Sequence, residues 1–127
     1  MADPLDKIFT PDREVDSQLL SDILFPFVKI NSEDLSIFFT NLGNKLPINK
    51  KLIIFLLAKK ALYIKGKVEL ESVTPNDIID QTDLKSGSVH PGLKQLRDKN
   101  LVIVKDGRYF IPNYQINEMK NLFLEGK

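Results

Sequence analysis

Cysteine and tryptophan are both absent from this 127-residue sequence, and histidine occurs once, at His90. The missing cysteines exclude a disulfide framework, a thiolate nucleophile and any cysteine-based zinc site, and they suit an intracellular protein. A lone histidine builds no metal site by itself. Long apolar runs are lacking too: the longest, Leu52 to Ala58, falls far short of the roughly 20 residues that cross a bilayer. The N-terminal region carries Asp3, Asp6, Asp12, Glu14, Asp16 and Asp22 instead of the basic start and apolar stretch of a secretory signal. There is no Gly-rich phosphate loop, nucleophile elbow, HExxH helix or paired-carboxylate motif. The expectation is therefore a cytoplasmic protein that is not an enzyme, holds no cofactor or metal and has no membrane partner.

What is present is an ordinary globular composition, 43% hydrophobic and 28% charged, in a chain long enough for one core with an extension. The formal net charge is only +1, but it is unevenly spread. Residues 1–44 hold 3 basic against 8 acidic side chains, and residues 45–127 hold 15 against 9.

Apolar periodicity and capping signals divide the chain into four parts. Residues 1–13, with Pro4, Pro11 and no apolar period, predict a flexible arm. Residues 14–45 predict an N-terminal helical extension of two helices. The first carries Leu19, Leu20, Ile23, Leu24 and Phe27 and ends near Pro26. The second is capped by Ser32, buries Leu35, Phe38, Phe39 and Leu42, and stops at Gly43 and Asn44. From Pro47 a densely apolar stretch to about Ile64 predicts a central core helix, ended by Gly66. Seven lysines and no acid lie between Lys45 and Lys67, and read as a solvated helix face.

Val68, Leu70 and Val73 alternate as a short strand would. Thr74-Pro75-Asn76-Asp77 is a helix start, with a capping hydroxyl, a first-turn proline and an acid at the positive end of the dipole. Asp77, Asp80 and Asp83 lack the glycine and terminal Glu of a calcium loop and are read as helix-start and turn residues. A second helix follows a break near Asp83–Gly87, with Val89, Leu93 and Leu96 on one face. Pro91 favours a start at Ser88 over Ser86, because it then lies in the first turn. Asn100 can end this helix, and two β-rich runs flank Asp106-Gly107, a strong two-residue hairpin signal closed by Pro112. Residues 113–127 predict a C-terminal helix with the stripe Ile116, Met119, Leu122 and Phe123, available for dimerisation or for packing on its own domain.

The order of helix, strand, capped helix, short turn, second helix and hairpin, over about residues 70–112, resembles the winged helix-turn-helix of MarR-like and PadR-like bacterial and archaeal regulators. The implied fold is mainly α with a small antiparallel β wing, the winged helix-turn-helix spanning residues 46–112. The resemblance implies a transcriptional regulator binding double-stranded DNA, with the helix from about Ser88 to Lys99 in the major groove and a wing at Lys105–Arg108 on the backbone. At 100° per residue from Val89, Pro91, Lys94, Gln95 and Asp98 point outward and His90 lies on the flank. Candidate DNA contacts are Lys85, Ser86, Ser88, His90, Lys94, Gln95, Lys105 and Arg108, with Asp98 opposing. Twofold DNA sites imply a homodimer. The alternative is a winged-helix adaptor whose partner is another protein, using the acidic N-terminal helices or the C-terminal stripe.

Overall fold

Asp16 opens the first helix by accepting a hydrogen bond from Leu19 N on its side chain, at 3.0 Å. The computed structural model describes Leu5 and residues 16–124, so the predicted arm lies almost wholly outside the described residues. Helix α1, Ser17–Leu24, buries Leu20, Ile23 and Leu24. Strands β1, Val28–Ile30, and β2, Ile37–Phe39, then pair antiparallel, with Val28 opposite Phe39. A four-residue helix α2, Asn41–Asn44, leads to the long helix α3, Ile48–Ile64.

The predicted helix from Ser32 to Leu42 is therefore replaced by a hairpin. Two local devices favour it. Asn31 Oδ1 accepts from Glu33 N and Asp34 N, and Asp34 Oδ1 accepts from Ser36 N and Ser36 Oγ, offering the backbone turn partners in place of helical ones. Leu35 adopts φ 63°, which no right-handed helix permits. Ile37 is buried, whereas Phe38 and Leu42, which the helical period places on the buried side, are 51% and 57% exposed.

Helix α3 is the axis of the core. Its residues Leu52 to Ala58 are all buried, as the unbroken apolar run predicts. One of its lysines departs from the expected solvated face: Lys60 is 1% exposed, ion-paired with Glu71 Oε1 at 2.5 Å and donating to Asn113 Oδ1 at 2.5 Å. Gly66, at φ 71°, ends the helix with Lys67 N donating to Leu62 O and Gly66 N to Tyr63 O.

Beyond it come α4, Pro75–Gln81, and α5, Ser86–Asp98, then strands β3, Ile103–Lys105, and β4, Arg108–Phe110. Of the strand predicted over Val68 to Val73, only an antiparallel bridge from Val73 to Tyr109 forms. A 3₁₀ turn, Asn113–Gln115, precedes α6, Ile116–Phe123. Helix α6 packs against α1, with Ile116 and Met119 buried and the Phe123 ring 5.6 Å from that of Phe27. The C-terminal stripe is thus spent on the protein's own core, not left exposed for a partner.

The chain is mainly helical with two small two-stranded antiparallel sheets, and one contiguous core draws on residues from Leu20 to Met119. Among the described residues no helix is long and apolar enough to cross a membrane.

Candidate nucleic-acid interface

Thr74 begins the segment that sets α5 in place. Its hydroxyl accepts from Asp77 N at 3.1 Å while Asp77 Oδ2 accepts from Thr74 N at 3.0 Å, a reciprocal cap with Pro75 at the first helical position. Such a cap stabilises a helix start by about 1 kcal/mol. Thr82 ends α4: its hydroxyl donates to Ile78 O at 2.7 Å and accepts from Leu84 N at 3.0 Å. Leu84 is buried, so the short connection from Thr82 to Lys85 is tied to the core at its centre.

Helix α5 starts two residues earlier than Pro91 suggests. Lys85 O accepts from Ser88 N and Val89 N, which brings Ser86 and Gly87 into the first turn and leaves Pro91 inside the helix. Only the bond from residue 91 to the Gly87 carbonyl is forfeited. At the other end Asn100, φ 64°, closes the helix as predicted, with Leu101 N donating to Leu96 O.

The inner face of α5 is Val89, Leu93 and Leu96, all buried, together with Gly92. At Gly92 the helix approaches α3 so closely that a Cβ would lie 2.5 Å from Leu52 Cδ1 and 2.9 Å from Asn49 Oδ1. The outer face is the predicted one: His90, Pro91, Lys94, Gln95 and Asp98 are exposed, as are Lys85 and Ser86, with Ser88 half-buried. Lys94 Nζ lies 3.3 Å from Asp98 Oδ2, so the single carboxylate of α5 turns onto a neighbouring ammonium. Arg97, which sequence reading passed over, is exposed and follows His90 and Lys94 at i+7 and i+3, making a row of three basic or titratable side chains. The 100° arithmetic places it beside His90, so the signal was legible. Gln95 is engaged from below by Asn49, a contact between residues 46 apart that no local pattern reveals.

The hairpin forms as Asp-Gly predicts. Lys105 pairs with Arg108 across a two-residue turn with positive φ at Asp106, 54°, and Gly107, 77°. Lys105 is exposed at the tip. Arg108 is not a free cation: its Nε donates to Ser72 Oγ at 3.1 Å, one terminal nitrogen donates to Ser72 O at 2.6 Å, and that nitrogen stands 3.9 Å from Asp77 Oδ2. The expected backbone-contacting arginine instead clasps β4 to the start of α4. Reciprocal Val73–Tyr109 hydrogen bonds at 3.0 and 2.7 Å reinforce that clasp.

Asp77 also faces Lys59 of α3. Burial pushes the Lys59 ammonium below its ordinary pKa, and Asp77 partly opposes that shift. Among the described residues no cluster of three or more His, Asp or Glu side chains could hold a metal ion. No protein-family model, curated protein or solved structure matches this chain.

Proposed function

We propose that residues 46–112 form a winged helix-turn-helix that binds double-stranded DNA as a transcriptional regulator, with α5 in the major groove and the β3–β4 hairpin along the backbone. The observation that carries this reading is the exposed face of α5. It presents Lys85, His90, Lys94 and Arg97 to solvent, and its sole acid is turned onto Lys94. The exposed residues Ser86 and Gly87 form the first turn, where unpaired backbone N–H groups suit a phosphate. The anchored connection before α5 and the Arg108 clasp hold helix and hairpin in one rigid frame, as groove recognition requires.

Titration of random duplex DNA at two salt concentrations tests the proposal. Lys94→Ala and Lys105→Ala should each weaken binding and reduce the salt slope by roughly one. Absence of salt-dependent binding by the unmodified protein overturns it. Pairing into a dimer, with α6 already covered, would fall to other apolar side chains such as Phe38 and Leu42, which are exposed. Light scattering on the same samples reads that state. The near-neutral total charge and those same side chains favour the second reading, a protein-binding adaptor. Recovery of a specific protein partner without DNA affinity would select it.

A further inference from the structure

Leu20 and Leu24 of α1, Val28 of β1, and Ala61 and Ile64 of α3 line a pocket of about 350 Å³. That volume lies within the range of roughly 300–1,000 Å³ typical of small-molecule sites. The pocket is remote from α5. Gly92 of α5 meets α3 at Asn49 and Leu52, whereas the pocket meets α3 from Ala61 onward, roughly 14 Å further along the axis at 1.5 Å per residue.

The polar residues of the pocket are lysines and serines. Lys29 and Lys65 stand in its lining with Ser17 and Ser21, and among the described residues no Asp or Glu contributes to it. The Lys29 ammonium is held 4.3 Å from the centroid of the Phe25 ring, which is itself 69% exposed. A largely apolar hollow bordered by two lysines and two serines complements a molecule with an apolar tail and an anionic head. Of the carbonyls at this end of α3, those of Ala61, Leu62 and Tyr63 accept from the N–H groups of Lys65, Lys67 and Gly66 respectively.

We propose that this pocket binds a free medium-chain alkyl carboxylate, its chain against Leu20, Leu24 and Ile64 and its carboxylate between Lys29 and Lys65.

Isothermal titration of the full chain with octanoate, decanoate and dodecanoate, each well below its micelle concentration, tests it. Affinity should rise about threefold to fourfold per added methylene until the pocket is full. Decanoate should bind at least tenfold more tightly than decylammonium, with decanol between them. Ala61→Trp, which fills the hollow, should abolish binding while circular dichroism stays unchanged. Should that variant misfold, Lys29→Ala combined with Lys65→Ala, both on the surface, should erase the preference for decanoate over decanol and leave decanol binding intact. Four results overturn the proposal. They are no decanoate binding in the millimolar range, equal affinity for decanoate and decylammonium, binding only to anionic lipid vesicles, or a dimer in which Ala61→Trp breaks association instead of ligand uptake.

Discussion

Asn49 Nδ2, in the first turn of α3, donates to Gln95 Oε1 on the outer face of α5 at 2.7 Å. The bond commits one lone pair of the Gln95 oxygen to α3, and the amide nitrogen is the group of this exposed side chain that the contact does not use. Bidentate recognition of adenine needs both groups, whereas outward donors alone suit the acceptor pair N7 and O6 of guanine. If α5 reads DNA, Asn49→Ala should shift the selected base at the Gln95 position from guanine toward adenine. Sequencing of duplexes selected from a random pool by the two proteins measures this, and identical pools would refute the orientation argument.

Asp98 restrains Lys94 in an exposed pair that is worth only a few tenths of a kcal/mol, so its removal costs little stability. Asp98→Asn frees the ammonium and removes a charge that repels phosphate. Binding to duplex DNA, followed by fluorescence anisotropy, should tighten severalfold at low salt, and the gain should fade as salt screens it. A weaker complex at low salt would contradict this role for Asp98.

Lys60 and Glu71 form a pair whose side chains are 1% and 19% exposed, and the Glu71 Oε1 that faces the ammonium is itself buried. Deleting the acid leaves the fully buried ammonium with Asn113 and no charge partner, while deleting the cation leaves a carboxylate on the less buried of the two side chains, which has a shorter way to turn toward water. Glu71→Ala should therefore cost about 2–4 kcal/mol in urea unfolding, and Lys60→Met less, about 1–2 kcal/mol. Equal losses would show that the charge asymmetry has no weight.

Gly43 and Gly92 both lie at close approaches, but the neighbours differ. A Cβ at Gly43 would overlap the Phe27 backbone carbonyl, whereas at Gly92 it meets the ends of the Leu52 and Asn49 side chains, which can turn aside. Thermal unfolding should show Gly43→Ala losing about 2–3 kcal/mol and Gly92→Ala about 1 kcal/mol. A larger loss at Gly92 would mean that α3 and α5 cannot adjust.

Lys59 holds its proton less tightly in the folded protein than in the unfolded chain, because burial disfavours its charge. The unfolded state therefore binds more protons between the depressed folded pKa and the ordinary 10.5, and stability gains as pH rises through that window. Below the window the folded state carries the full penalty. Lys59→Met should stabilise the protein at neutral pH, and its advantage should shrink toward pH 10.5. A constant difference between the two proteins would exclude the linkage.

The segment from Thr74 to Phe110 was legible in the sequence because its signals are local. The Thr74–Asp77 cap, the Asn100 terminator and the Asp106-Gly107 turn each act within a few residues. The segment from Val28 to Phe39 misled because Leu35, Phe38 and Phe39 satisfy a helical period while the turn chemistry of Asn31 and Asp34 decides the outcome. Lys60 and Arg108 misled for another reason: their partners Glu71, Asn113 and Ser72 lie 11 to 53 residues away, and composition alone assigns such cations to solvent. At the candidate interface, sequence spacing set which residues face outward, but not which of them already have partners.

Helices α1 and α6, nearly 100 residues apart in the chain, pack on each other across the core. Closing so long a loop is entropically costly and rewarded only once both ends have arrived, so this contact is expected to form late in folding. Local opening should likewise begin there: amide hydrogen exchange in α1 and α6 would rise together, ahead of α3, and cutting back either helix would loosen the other.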